Sequence, residues 1–236
     1  MKAIILAAGR GQRMRPLTDT TPKPLLAVRG KPLIEWHIEA LARSGVREIA
    51  INTAWLEQRI VAALGDGARF GVALRYSTEG RDHGGALETA GGIVTALPLL
   101  GLADDEPFWI VSGDIFAPGF DFDAAAARAA FAASGLDAHL WLVPNPPYHP
   151  RGDFGLGADG LGLADGPGPD GRTWTYANLA LLRPRLLDGI APGTRVALAP
   201  SLFEGMRRRR VSAEVFGGEW ANVGTPEQLA ALNRGL

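Results

Sequence analysis

Residues 6–25 read LAAGRGQRMRPLTDTTPKPL and directly follow the short apolar run 2–6, KAIIL. The apolar run predicts a β-strand, and the small residues after it predict a glycine-bearing turn. In such a turn the backbone can approach a ligand closely, and its N–H groups can face an anion. Four cationic side chains lie within the same segment: Arg10, Arg13, Arg15 and Lys23. A glycine turn surrounded by arginine and lysine side chains favours the binding of a polyphosphate.

The alternative interpretation of this segment is a solvated basic loop, but its position directly after a strand favours the phosphate site. Two common phosphate-binding motifs do not occur in the chain. It has no GxxxxGK string followed by Ser or Thr, and residues 9–14, GRGQRM, lack the third glycine of GxGxxG. The segment therefore predicts an α/β phosphate loop in which arginine and lysine side chains share the neutralisation of charge.

The composition restricts the class of protein. The 236 residues carry 24 Lys and Arg against 25 Asp and Glu, so neither nucleic acid nor an anionic membrane is expected as a partner. Cysteine is absent, which excludes thiol nucleophiles, thiolate metal sites and disulfides. The first apolar run is too short for a signal peptide, and no apolar stretch is long enough to span a bilayer. We therefore expect a cytoplasmic protein.

Strand and helix patterns alternate along the first half of the chain. Strands are predicted over 47–52, 72–76 and 108–111, and helices over 32–44, 56–64 and 88–99. This alternation predicts an α/β fold with a Rossmann-like, mostly parallel sheet flanked by helices and with the chemistry at the strands' carboxyl ends. Further strands over 139–143, 174–182 and 211–216 are expected to extend the same sheet. A single domain over 1–236 follows, with a nucleotide-binding half at 1–136 and a second-substrate half at 137–236.

Asp114 is the first candidate for a metal ligand. It ends the sequence Ser112-Gly113-Asp114, which directly follows the apolar strand 108–111. A carboxylate at the end of a strand that faces a phosphate loop is well placed to hold Mg²⁺. From chemistry alone, an aspartate that caps the next turn is an equally good interpretation.

The opening segment resembles the N-terminal signature of the sugar-1-phosphate nucleotidylyltransferases, LAAGxGxRMxPLT followed by PKPL. The resemblance extends along nearly the whole chain and implies transfer of a nucleotidyl group from an NTP to a sugar 1-phosphate. It makes Arg13, Lys23 and Asp114 the catalytic residues and implies Mg²⁺ as the cofactor. The nucleotide-binding residues that it implies are Leu6, Ala7, Ala8, Gly9, Gly11, Arg13, Lys23, Glu79 and Gly113.

A second matching element lies near the C-terminus. Residues 220–227, WANVGTPE, resemble the family's W-x-D-V-G-T-P-E, and Asn222 stands where many relatives carry a second metal-binding aspartate. An amide oxygen can coordinate Mg²⁺ without adding negative charge. Asn222 is therefore either a neutral metal ligand or leaves that position to water. Thr225 and Gln228 also predict a capping box at the start of a final helix.

In the family that this chain resembles, two further stretches border the substrates. Residues 77–80, STEG, and 87–92, LETAGG, resemble a region where glycines open a helix N-terminus beside the nucleobase and sugar. Residues 146–154 resemble an H-x-x-GDF stretch of the muramate-type branch of the family. The substrate-binding residues implied are Glu88, Thr89, Asp153 and Asn178. Two alternatives stay open: Glu79 as a surface carboxylate, and Asn178 as a side chain that satisfies buried backbone.

The same matches favour UTP and N-acetylmuramate 1-phosphate as the substrates, in the recycling of peptidoglycan. The nearest enzymatic alternative is a mannose- or heptose-1-phosphate guanylyltransferase. A non-catalytic nucleotide-sugar sensor is the alternative from another class, although the presence of Arg13, Lys23 and Asp114 together favours an enzyme. The basic run 207–210 is expected at the end of a helix. A monomer or a small homo-oligomer is expected.

Overall fold

The computed structural model describes residues 1–103, 105–122 and 125–234. The strands are β1 (Ala3–Leu6), β2 (Ala27–Val28), β3 (Lys31–Pro32), β4 (Glu48–Thr53), β5 (Ala73–Thr78), β6 (Phe108–Ser112), β7 (Ile115–Phe116), β8 (Ala138–Val143), β9 (Phe154–Leu156), β10 (Gly162–Leu163), β11 (Thr173–Leu182), β12 (Val211–Val215) and β13 (Ala221–Asn222). The α-helices are α1 (Leu17–Thr20), α2 (Leu33–Arg43), α3 (Glu57–Leu64), α4 (Glu79–His83), α5 (Glu88–Ala96), α6 (Ala125–Ser134), α7 (Ala199–Arg207) and α8 (Pro226–Asn233).

One mixed sheet of nine strands organises the chain. Its path is β10-β9-β11-β6-β1-β4-β5, and β8 and β12 continue from the other edge of β11. Strands β6, β1, β4 and β5 are parallel, and β12 is parallel to β8. Strand β11 is antiparallel to both β6 and β8. The predicted Rossmann-like, mostly parallel sheet with flanking helices is confirmed. Strands from residues 1–136 and from residues 137–236 share this sheet. The proposed border near residue 136 between a nucleotide-binding half and a second-substrate half therefore stays a prediction.

Apolar side chains on both faces of the sheet explain the uninterrupted apolar sequences of β1 and β6. Ile5 faces the cluster that contains Leu41 of α2, whereas its neighbour Ile4 faces the cluster that contains Ile93 of α5 and Leu202 of α7. Alternation of side chains along a strand produces this division. Each large apolar side chain buried in this way contributes about 1.5–3 kcal/mol to stability.

The register of the parallel strands places their carboxyl ends side by side. Leu6 at the end of β1 pairs with Asn52 of β4 on one side and with Ser112 of β6 on the other. The segments that follow these strands therefore meet at one edge of the sheet. The C-terminal region reaches the same edge through β13, where Asn222 pairs with Ile115 of β7. In the described part of the chain, no helix is long and apolar enough to cross a membrane.

Candidate active site

A cavity of about 380 Å³ opens at the edge where β1, β4 and β6 end. Its lining includes residues from the loop after β1, from the start of α5 and from the segment after β6. Eight of the sequence-predicted residues line it: Leu6, Ala7, Ala8, Gly9, Lys23, Glu88, Thr89 and Asp114. We call this the first cavity.

A second cavity of about 460 Å³ lies between β11, α7 and the C-terminal segment. Five predicted residues line it: Arg13, Thr89, Asp153, Asn178 and Asn222. A third, of about 350 Å³, contains Gly11 together with Arg13, Lys23 and Asp114. Thr89 lines the first and second cavities, Arg13 the second and third, and Asp114 the first and third. The three spaces therefore adjoin one another around the predicted catalytic residues.

The turn after β1 depends on Gly11. Its φ of +66° lies in the left-handed region, where side chains are strained. A Cβ atom at Gly11 would lie 3.0 Å from Thr18 Cγ2 and 3.2 Å from Lys23 Cβ. The carbonyl of Gly11 accepts hydrogen bonds from the Met14 N–H at 2.9 Å and from the Thr18 hydroxyl at 2.8 Å. This close packing fixes the turn relative to Lys23.

Lys23 and Asp114 form an ion pair at the junction of the first and third cavities. The Lys23 ammonium donates to Asp114 Oδ2 at 2.7 Å, and the lysine side chain is 9% exposed while that of Asp114 is 36% exposed. Lys23 lies between Pro22 and Pro24, which restrict its backbone. The backbone carbonyl of Asp114 accepts from the Val223 N–H at 3.0 Å. Asp114 is thus held by both halves of the chain while its carboxylate stays open to the cavities.

Asn222 brings an unsatisfied oxygen to the same region. Its Oδ1 is buried and has no hydrogen-bond partner among the described residues. A buried amide oxygen without a partner costs about 1–3 kcal/mol, so the position suits a ligand that supplies a cation or a donor. No group of three or more His, Cys, Asp or Glu side chains suited to a metal occurs within the described ranges. Any ion here would therefore depend on Asp114, Asn222 and oxygen atoms of the substrates.

A buried chain of hydrogen bonds supports the floor of the first cavity. Asn52 Oδ1 accepts from the Ala7 N–H at 2.7 Å, and Asn52 Nδ2 donates to Glu79 Oε1 at 2.7 Å. Glu79 Oε2 accepts from the Leu87 N–H at 2.8 Å. Glu79 is fully buried, and burial raises the pKa of its carboxyl group. The prediction of a direct contact between Glu79 and the nucleotide is therefore corrected, because this side chain lies behind Asn52.

Three glycines that were predicted to lie beside the substrates pack closely against neighbouring residues. Gly113 donates its N–H to the Leu6 carbonyl at 2.8 Å, and a Cβ atom on it would lie 3.0 Å from that oxygen. It does not line any of the three cavities, and its assignment to nucleotide binding stays a prediction. In α5, a Cβ atom on Gly91 would collide with the Thr194 carbonyl, and one on Gly92 with the Asn52 amide. These glycines bring α5 close to its neighbours.

The wall of the second cavity is formed mainly by β11. Asp153 Oδ2 accepts from the Tyr176 N–H at 2.8 Å, which attaches the loop before β9 to this strand. The register of β11 against β8 shifts between Tyr176 and Ala180, and Asn178 within this bulge has a φ of +59°. Asparagine tolerates this left-handed conformation better than most residues. The left-handed backbone at this position therefore suits asparagine.

A sequence model described as "Nucleotidyl transferase" matches residues 2–156. The chain belongs to the nucleotidyl transferase family. An N-acetylmuramate alpha-1-phosphate uridylyltransferase of Neisseria meningitidis is 51% identical over 225 residues, which cover 95% of this chain and 94% of that protein. A protein of the same name from Caulobacter vibrioides is 33% identical, with coverage of 98% and 96%. The resemblance found in the sequence is therefore confirmed.

A solved structure shows the same fold. The Bacillus anthracis protein, described as a glucose-1-phosphate thymidylyltransferase, matches with a TM-score of 0.77 at 22% identity. The match covers 99% of this nucleotidyl transferase and 94% of the other chain. The similarity includes β10 to β13, which lie beyond the range of the family model.

The cavities of this nucleotidyl transferase also contain residues that sequence reasoning missed. Asn52 and Ser112 line the first cavity, and Tyr148 and Trp220 line the second. Asn52 had a usable signal, since it is a polar residue at the end of an apolar strand. Arg10, counted among the cationic side chains, lines the first cavity with its guanidinium 3.8 Å from the centre of the Trp55 ring. This cation–π contact limits the freedom of the arginine.

Proposed function

We propose that this nucleotidyl transferase transfers UMP from UTP to N-acetylmuramate 1-phosphate and releases pyrophosphate. The observation that carries the proposal is the third cavity, which is lined by Arg13, Lys23 and Asp114 and adjoins both the first and the second cavity. Two substrates that occupy these cavities would meet with their phosphates at the same cationic side chains. The choice of uridine and muramate is supported by the relatives from Neisseria meningitidis and Caulobacter vibrioides.

In the proposed reaction, a phosphate oxygen of the acceptor attacks the α-phosphorus of UTP in line with the departing pyrophosphate. One phosphorus–oxygen bond forms and the bond to pyrophosphate breaks. A phosphate oxygen is already a competent nucleophile at neutral pH, so no general base is required. Catalysis then consists of positioning and neutralisation of charge. The backbone of Ala8, Gly9 and Gly11 would hold the base and the phosphates.

The cationic side chains have separate tasks in this scheme. Lys23 would neutralise charge that develops on the α-phosphate, and Arg13 would stabilise the departing pyrophosphate. The guanidinium of Arg13 lines the third cavity beside Gly224 and forms no ion pair with any described residue. Both side chains strengthen their interactions as negative charge accumulates, which is the requirement for lowering the barrier.

We also propose Mg²⁺ as the cofactor, held by the Asp114 carboxylate and the Asn222 amide oxygen. The ion, when bound, would neutralise negative charge shared by the two substrates. The open carboxylate and the unpartnered amide oxygen fit such an ion. Because one protein carboxylate supplies all of the negative charge from the chain, substrate phosphates would complete the coordination.

The proposed location of the protein is the cytoplasm, which suits a reaction that consumes UTP.

A panel of substrates tests the proposed function. Pyrophosphate release is measured with UTP, GTP and dTTP, each combined with the 1-phosphates of N-acetylmuramate, N-acetylglucosamine, glucose and mannose. We expect the highest kcat/KM for UTP with N-acetylmuramate 1-phosphate, and product masses identify the nucleotide sugar. Preference for GTP with mannose 1-phosphate would replace the muramate assignment by the guanylyltransferase one. Absence of turnover with every pair, while UTP still binds, would favour a sensor.

A further inference from the structure

The proposed acceptor carries a group that most sugar 1-phosphates lack, a lactyl ether that ends in a carboxylate. An anion that leaves water for a protein cavity requires a positive charge or several donors. Two of the residues that line the second cavity can carry positive charge, Arg13 and His149. Arg13 also lines the third cavity with Lys23 and Asp114, where it serves the phosphates. His149 is therefore the side chain left to face the carboxylate.

Hydrogen bonds fix the position of His149 at the wall of the second cavity. Its Nε2 lies 3.0 Å from Asp153 Oδ1, and the other oxygen of Asp153 accepts from the Tyr176 N–H of β11 at 2.8 Å. The loop around it is closed by two backbone bonds, from the His149 N–H to the Pro146 carbonyl and from the Gly152 N–H to the His149 carbonyl. The imidazole is thus attached to the sheet although its side chain is 40% exposed.

The second ring nitrogen remains available. With Nε2 engaged by Asp153, no described residue forms a hydrogen bond with His149 Nδ1. A protonated imidazole donates from both nitrogens, so the ring can link the Asp153 carboxylate to a second anion. The other charged or titratable groups on the lining of this cavity are Arg13, Tyr148 and Tyr176. The His149 side chain, by contrast, lies within hydrogen-bond distance of the Asp153 carboxylate.

We propose that His149, oriented by Asp153, binds the lactyl carboxylate of the acceptor and selects muramate-type sugar phosphates. The inference rests on the proposed function and names the residue that would recognise its acceptor. His149 acts in two ways. It offers a charge-assisted hydrogen bond to the carboxylate, and it neutralises Asp153, whose negative charge would otherwise repel the same group. Asp153 is a positioning residue in this arrangement.

The test compares two acceptors that differ by the lactyl group, N-acetylmuramate 1-phosphate and N-acetylglucosamine 1-phosphate, with UTP and Mg²⁺. In His149→Gln, an amide replaces the ring and the positive charge is lost. We expect kcat/KM for the muramate acceptor to fall by about 10- to 100-fold more than that for the glucosamine acceptor. The matched control is His83→Gln, which changes an exposed histidine that does not line the second cavity and should leave the acceptor ratio unchanged.

Three outcomes would overturn the inference. An equal loss with both acceptors, or a lower melting temperature that accounts for the loss, would make His149 a structural residue. Unchanged kcat/KM values with both acceptors in His149→Gln would remove it from acceptor recognition. If the wild-type protein uses N-acetylglucosamine 1-phosphate but not the muramate acceptor, the proposed substrate itself is wrong. An acceptor whose lactyl carboxylate is replaced by the neutral amide provides a further check. His149→Gln should lower kcat/KM for this acceptor much less than for the one with the carboxylate.

Discussion

At the reacting centre, the Asp114 carboxylate has two competing partners, the Lys23 ammonium and the proposed Mg²⁺. Replacement of Asp114 by Asn removes the negative charge but keeps the shape. We expect kcat to fall by about 100-fold or more, and the Mg²⁺ concentration for half-maximal rate to rise, because the ion loses its protein carboxylate. Asp188→Asn, which changes an exposed aspartate far along the chain, serves as the control. Near-normal activity of Asp114→Asn at ordinary Mg²⁺ would refute the ligand role.

Lys23→Met should have a different signature. Methionine retains an apolar stem in the buried site beside Gly11, so a small change in the unfolding temperature is expected. If Lys23 stabilises charge that develops at the α-phosphate, kcat should fall by more than KM for UTP rises. The half-maximal Mg²⁺ concentration should not rise, because Asp114 keeps its negative charge and Lys23 no longer competes with the ion for it. Steady-state kinetics with varied UTP and Mg²⁺ measure both quantities. An intact kcat with weaker UTP binding would limit Lys23 to ground-state binding.

Asn222 allows substitutions in both directions. As a neutral metal ligand, it should bind Mg²⁺ more tightly after Asn222→Asp and more weakly after Asn222→Ala, because the number of charged or coordinating oxygens changes accordingly. The measured quantity is the half-maximal Mg²⁺ concentration of each variant at fixed substrates. If Asn222 contacts the sugar instead, Asn222→Asp should repel the phosphates and raise both KM values. Identical Mg²⁺ midpoints in all three proteins would exclude coordination.

The sequence was sufficient to predict Arg13, Lys23 and Asp114 as neighbours, because the first two lie in the segment after β1 and Asp114 follows β6, the parallel neighbour of β1. The sequence was not sufficient to predict which way the side chain of Glu79 faces. A carboxylate at the end of a strand has the same sequence pattern whether it faces the ligand or lies behind a side chain that does. Asn52 decides between the two, and its position opposite Leu6 depends on the strand order, which no local pattern contains.

At the level of helices and strands, periodicity predicted those elements that have one apolar face. Helix α2 runs over Leu33–Arg43 within the predicted 32–44, and α3 over Glu57–Leu64 within 56–64. The helix predicted over 88–99 ends at Ala96, and a 3₁₀ helix over Leu97–Leu100 with Pro98 in its first turn follows. Helix α6 was missed because its sequence, AAARAAFAAS, has almost no contrast between faces. The predicted capping box of Thr225 and Gln228 at the start of α8 is confirmed.

Helix α2 also carries a pH-sensitive contact. His37 is 2% exposed, its Nε2 lies 2.8 Å from the Ile115 carbonyl, and burial lowers its pKa to about 4 from 6.5. Between these values the unfolded chain binds a proton that the native protein does not. Stability should therefore fall as pH decreases from about 6.5 to about 4, by about 3 kcal/mol from this group.

Urea unfolding at pH 7 and pH 4.5 measures this effect. In His37→Gln the side chain can still donate to Ile115 but no longer titrates, so the difference in stability between the two pH values should be smaller than in the wild type. The comparison between the two proteins removes the contribution of carboxylates and of the buried His139, whose pKa is also lowered. An equal pH dependence of both proteins would contradict a neutral, buried His37.

On the scale of the whole molecule, the decisive feature is the antiparallel strand β11 between β6 and β8. It joins the two halves in one sheet, and its first residues pair with β9, which positions the wall of the second cavity. The sequence predicted this strand but not its direction, since burial patterns are the same for both orientations.

The basic run 207–210 was placed correctly at the end of α7. Its four arginines form ion pairs with Asp165, Glu204, Asp159 and Asp137.

The central claim is that two substrates in adjoining cavities react directly with each other. The stereochemistry of transfer tests it. The donor is one diastereomer of UTP with sulfur in place of a non-bridging oxygen at the α-phosphorus, and the acceptor is N-acetylmuramate 1-phosphate. One in-line displacement inverts the configuration at phosphorus, and the account predicts inversion in the UDP-sugar product. Retention would require two displacements through a covalent nucleotidyl–protein intermediate, and that result would contradict direct transfer between the cavities.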